Sequence, residues 1–199
     1  MPSEISVRPL TLECWDDFER LFGPKGACAG CWCMYPRLVG KAFHAGTREN
    51  GAGNRAAMRE IVEAGPPPGL LGYVDEQPVA WVATRPRAEY ARLANSRLLK
   101  PLDDRPVWSI VCLFVDRAWR RRGLTVEMID VACSWAAEQG ATTVEAYPVI
   151  PRTESIPPVF AWWGLLSAYE RAGFTVARLA SQSRAIVRRE VASQATVTA

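Results

Sequence analysis

With 199 residues, 49% of them hydrophobic and 23% charged, the chain has room for one sizeable core and too little for two. A formal net charge of +3 is too small for a general nucleic-acid binder, and no apolar run approaches the roughly 18 residues that a spanning helix needs. The start, Met1-Pro2-Ser3-Glu4, lacks the basic residues and apolar stretch of a secretory signal, so the six cysteines are expected as thiols in a reducing cytoplasm.

Ile5 and Val7 alternate with polar neighbours and predict a short strand. Thr11 then caps a helix with Leu12, Trp15, Phe18 and Phe22 at helical spacing, stopped by Gly23-Pro24. Gly23 to Gly53 is glycine-rich and holds three cysteines with little periodicity. Asn54 is a cap for a second helix, with Met58, Ile61 and Val62 on one face and Gly65-Pro66 as its stop. Gly69 to Val74 and Val79 to Thr84 read as a hairpin around Asp75-Glu76-Gln77. Arg85 to Arg105 is mixed and basic, suiting either an acidic ligand or phosphates. Val107 to Val115 is almost wholly apolar, the pattern of a strand buried on both faces.

A helix is predicted from about Thr125, with Val126, Ile129, Cys133 and Ala136 on one side and Gly140 closing it. Thr142 to Tyr147 is a further strand. A loop with Pro148, Pro151, Pro157 and Pro158 leads into a helix that ends at Ala172-Gly173. Phe174 to Ala180 and Arg184 to Arg189 form a last hairpin, and Val191 to Ala199 has no periodicity. The expectation is one domain over 1–190, a disordered tail over 191–199, and an α/β (α+β) fold with a mixed sheet and helices on both faces.

The strongest chemical signal is the turn Trp119-Arg120-Arg121-Arg122-Gly123-Leu124-Thr125, between a buried strand and an amphipathic helix. Unpaired N–H groups and a partial positive charge make a helix N-terminus a phosphate site. Gly123 lets the backbone approach closely, and three arginines supply charge for a pyrophosphate or a 3′-phosphate. A solvated charged turn is the plainer alternative.

Leu113-Phe114-Val115-Asp116 followed by Arg120-x-x-Gly123-x-Thr125 resembles the acetyl-CoA-binding motif of GNAT N-acetyltransferases, in which Arg or Gln, two residues, Gly, one residue and then Gly or Ala succeed one another. Tyr169-Glu170-Arg171-Ala172-Gly173-Phe174 resembles the family's C-terminal signature, and the order of elements matches from about Ile5 to Arg189. Thr125 departs from the motif's Gly or Ala, and Trp162 stands where many members carry asparagine.

The resemblance implies a mostly antiparallel mixed sheet and direct acyl transfer from acetyl-CoA to a primary amine of a small molecule, both bound together. It implies that Leu113, Phe114 and Val115 pair with the pantetheine arm, one N–H serving the thioester oxygen. Arg120, Arg121, Arg122, Gly123, Leu124 and Thr125 would hold the pyrophosphate. Tyr169 would give a proton to the leaving thiolate, unless its ring merely packs on a helix face. Ser109 stands where some members carry a glutamate base. Glu145, sharing a strand face with Tyr147, is the first candidate for that role, with Asp103 and Asp104 as alternatives acting through water.

Cys28-x-x-Cys31-x-Cys33 with His44 offers no second knuckle, so no metal is expected. Of eight tryptophans, Trp32, Trp81, Trp108, Trp162 and Trp163 fall on or beside core elements. Trp162 and Trp163, adjacent on the predicted helix, cannot both face one core, so one is a candidate wall for an acceptor pocket. Expected partners are acetyl-CoA and an amine, with no nucleic acid and no membrane, in a monomer or homodimer. The alternative is an acyl-CoA-binding regulatory module of little catalytic power, for which Ser109 is the motive.

Overall fold

The computed structural model describes residues 5–152, 156–157 and 161–192. Seven strands form one sheet in the order β1-β2-β3-β4-β5-β7-β6. They are β1 (Ser6–Pro9), β2 (Gly69–Val74), β3 (Gln77–Pro86), β4 (Trp108–Val115), β5 (Thr143–Ala146), β6 (Thr175–Ser181) and β7 (Arg184–Glu190). Among these seven strands, as far as the described residues go, β4 and β5 pair in parallel and the other pairs are antiparallel. The mixed, mostly antiparallel sheet with helices on both faces is therefore as expected.

Alternation along the strands divides the core in two. Leu71, Tyr73, Trp81, Ala83 and Val111 face one side, where they meet α1 (Trp15–Phe22) and Met58 and Val62 of α3 (Arg48–Ala64). Leu70, Ala80, Val82, Ile110 and Leu113 face the other, against α5 (Leu124–Glu138) and α6 (Leu166–Arg171). Helix α1 buries Trp15, Phe18, Leu21 and Phe22 as its spacing predicts, although Leu12 at its entry is left exposed. Asp75 and Glu76 both take positive φ, the tight turn that a two-residue hairpin needs.

Two short helices were not foreseen, α2 (Gly40–Gly46) and α4 (Ala91–Ala94); glycine and arginine mask their periodicity. Asn54 does not cap a helix. Three left-handed residues, Glu49, Asn50 and Gly51, kink α3 before it, and Asn54 lies buried inside, its Nδ2 donating to the Gly30 carbonyl at 2.8 Å. The last helix is shorter than expected. Gly164, at φ +79°, breaks the chain ahead of it, so Trp162 and Trp163 stand in a turn and not on α6. Pro158 and residues 193–199, expected as a disordered tail, lie outside the described residues. Among the described residues no helix is long and apolar enough to cross a membrane.

Candidate active site

The predicted phosphate turn sits where β4 hands over to α5. Gly123 is the N-cap of α5 with φ +92°, a backbone that L side chains rarely adopt, and Arg121 is also left-handed. Among the described residues, no acceptor takes the N–H groups of Gly123, Leu124 and Thr125, because the first turn of a helix has no internal partner for them. A Cβ built on Gly123 would meet nothing nearer than Glu127 Oε1 at 3.6 Å, so the approach to those N–H groups is open. Arg120, Arg121 and Arg122 are all exposed. Arg120 Nε donates to the Val115 carbonyl at 2.9 Å, and the Arg122 guanidinium lies 4.7 Å over the Trp119 ring.

The sheet opens beside this turn. β4 pairs with β5 only from Trp108 to Ile110, and the residue after, Val111, is an extra one opposite the Ala83–Thr84 step of β3. Such a bulge re-aims the strand. The chain from Trp162 to Leu166 lies in the opening: Leu113 N donates to the Trp162 carbonyl at 2.8 Å, Val149 N to Gly164 at 2.9 Å, and Leu166 N to Val149 at 3.0 Å. Of the β4 groups expected to meet a pantetheine arm, the Leu113 N–H is thus already occupied. Phe114 and Val115 are half-buried, where a strand covered on both faces was expected.

Tyr169 is buried on α6 beneath that segment. Its ring meets Phe174 edge-on at 5.1 Å, while its hydroxyl, wholly buried, has no hydrogen-bond partner among the described residues. Burial first, then the nearby thiols of Cys133 and Cys112, push the phenol well above its ordinary range, so it keeps its proton throughout neutral pH. A built Cβ on Gly164 would fall 2.6 Å from the Tyr169 ring and 2.9 Å from Leu113 Cδ1, so glycine there lets tyrosine and strand come together.

Glu145 is placed otherwise than a base facing an acceptor. It is fully buried, and its carboxylate takes Arg87 at 2.9 Å, Arg188 at 2.8 Å and the Tyr147 hydroxyl at 2.7 Å. Tyr147 in turn hydrogen-bonds Ser109 at 2.9 Å, and Arg188 grips Asp103 through two bonds of 2.7 and 3.1 Å. Arg87 and Arg188 meet Glu145 and Asp103 in this network, with Arg105 also on Asp103 at 3.1 Å, and it ties β4, β5 and β7 to the segment after β3. Asp103 belongs to it; Asp104 is exposed and carries no bond within it.

A cavity of about 620 Å³ opens on the other side of Trp162. Trp162 and Trp163 both line it, with Tyr35 and the cations Arg92 and Arg184. Sequence reasoning missed Arg184, whose only signal was its place at the head of a hairpin, and noticed Arg92 only within a basic segment. The cysteines part company: Cys28 is exposed, Cys31 half-buried, and Cys33 buried with Trp81 Nε1 donating to its sulfur at 3.3 Å. Among the described residues no three His, Cys, Asp or Glu side chains are placed to hold a metal ion.

A seven-stranded mixed sheet that splays beside a glycine-capped, arginine-rich helix start is an arrangement suited to a phosphate-bearing ligand. The model of the acetyltransferase (GNAT) family matches residues 26–157, more than half of the chain, and the protein belongs to that family of acetyl-CoA-dependent N-acetyltransferases. Its fold is similar to that of the PaiA N-acetyltransferase of Thermoplasma acidophilum solved with coenzyme A, at 13% identity and a TM-score of 0.52 over 94% of this chain and 99% of that one. A GNAT acetyltransferase of Listeria monocytogenes gives 12% identity and 0.52 over 94% and 95%. One of Streptococcus pneumoniae gives 10% and 0.50 over 94% and 99%. No curated protein matches it.

Proposed function

We propose that the protein acetylates the primary amine of a small molecule by direct attack, with acetyl-CoA and the amine bound together. The observation that carries this reading is the start of α5, where open N–H groups at Gly123 to Thr125 follow three arginines. A second point supports the reading, the Tyr169 hydroxyl, a buried donor without an acceptor among the described residues. Bound there, acetyl-CoA supplies an acetyl thioester.

The chain's own residues then divide the work. Arg120, Arg121, Arg122 and the N–H groups of Gly123, Leu124 and Thr125 hold phosphate. Leu113, Phe114 and Val115 offer a strand edge to the pantetheine, for which the Trp162 carbonyl has to leave the Leu113 N–H. Tyr169 holds a proton at Oη for the thioester sulfur. Glu145, with two guanidinia around it, can reach an acceptor proton only through the Tyr147 hydroxyl. A base role therefore predicts that Tyr147→Phe and Glu145→Gln both shift the acidic limb of the pH–rate profile. An unshifted limb leaves Glu145 as an anchor.

Calorimetric titration with acetyl-CoA, alongside Gly123→Glu, tests the reading. Micromolar binding that the variant loses supports it, and no binding by folded wild-type protein overturns it. The enclosure of Glu145, with Ser109 in place of a carboxylate, favours one other reading, a regulatory module that binds acyl-CoA and turns over little. Thiol release with any amine acceptor decides against that module.

A further inference from the structure

Two arginines face the cavity beside Trp162, and among the described residues no carboxylate neutralises them. Arg184 is partly buried, and burial pushes its guanidinium below the ordinary value. It spends one nitrogen on the Tyr147 carbonyl at 2.8 Å and lies 5.4 Å over the Trp163 ring. Arg92, which also lines the cavity, stacks 3.7 Å over the Tyr35 ring and donates to the Tyr35 carbonyl at 2.6 Å and to the Leu38 carbonyl at 3.2 Å. Among the described residues neither has a carboxylate within ion-pair distance, and no acidic residue lines the cavity. Carbonyls and ring faces orient a guanidinium but leave its charge unbalanced, and an unbalanced charge withdrawn from water is costly. Arg87 and Arg188 are matched by Glu145 and Asp103; Arg37, which does not line the cavity, rests on the Pro68 carbonyl and the Tyr90 ring. The unmatched pair therefore marks a place for an anion from outside.

We propose that the acceptor is a small primary amine that also carries a carboxylate, held by Arg184 with Arg92, its apolar body against Trp162 and Trp163. The volume suits a ligand of that size. A planar guanidinium matches a carboxylate through two parallel bonds, and the rings supply apolar contact without a competing acid. This rests on the transferase reading above and names the substrate class of the same site.

The test measures thiol release from acetyl-CoA with apolar amino acids and, in parallel, with their carboxamides, after acetyl-CoA affinity has been measured separately. The acids are expected to exceed the amides in kcat/KM by about tenfold or more, the size of a charge-assisted contact. Arg184→Gln should erase that preference, while Arg184→Lys, which keeps the charge, should retain part of it; both should bind acetyl-CoA as the wild type does. Acetyl-CoA binding with amides equal to or better than acids, or with no acid accepted, overturns the carboxylate proposal alone. Failure to bind acetyl-CoA overturns the transferase reading instead.

Discussion

Among the described residues the Tyr169 hydroxyl is buried without a partner, an arrangement that costs stability and calls for an explanation. Tyr169→Phe should lower kcat tenfold or more while leaving acetyl-CoA affinity unchanged and the melting temperature of the ligand-free protein equal or higher. A tyrosine that merely packs would leave kcat alone. The residue was visible in sequence because it belongs to a contiguous hexad. Arg184 was not, because its meaning comes from Trp163 and Tyr147, which only the fold brings to it. The cysteines show the same limit: spacing groups Cys28, Cys31 and Cys33, and burial separates them. Burial pushes Cys31 up to about 11, with Cys33 adding to it, so iodoacetamide at pH 8 should modify exposed Cys28 first and Cys31 far later, as read by mass spectrometry.

Strands were read closely and turns poorly. β2 falls where alternation and turn residues put it, and β4 lies one residue inside its expected span, because periodicity and β-branching act locally. The bulge at Val111, the kink at Glu49 to Gly51 and the break at Gly164 depend on what the backbone meets across the fold, which no local pattern encodes. Two positions at the start of α5 can be tested. Gly123→Ala forces a side chain to φ +92° at a cost of about 1–2 kcal/mol, so thermal melts should show a modest loss and calorimetry weaker acetyl-CoA binding. Glu127 is the acid nearest that turn, and Glu127→Gln should tighten acetyl-CoA by up to about fivefold, since it removes an anion from an anion's path.

Across the whole molecule, the Glu145 network is what joins the two halves of the sheet at the point where they begin to part. Glu145→Gln leaves Arg87 and Arg188 short of a buried counter-ion, and a loss of about 3–5 kcal/mol in denaturant titration is expected. Acid should attack the same place. Hydrogen bonding to Arg188, with Arg105 beside it, holds the Asp103 carboxyl below the usual carboxylate range in the folded protein. The stability it contributes is therefore present above its unfolded value of about 3.9 and is lost as the pH falls further. Melting temperature should drop below pH about 4, with a shallower acid slope in Asp103→Asn.

The Trp162 residue joins two ligands that never have to touch. Its carbonyl sits on the β4 N–H that a pantetheine arm would claim, and its ring is a wall of the cavity that would take the amine. If acetyl-CoA displaces that carbonyl, the wall is reset in the same motion, and the first ligand alters the affinity of the second by a factor the second must return to the first. The two binding events would then be coupled through one peptide group.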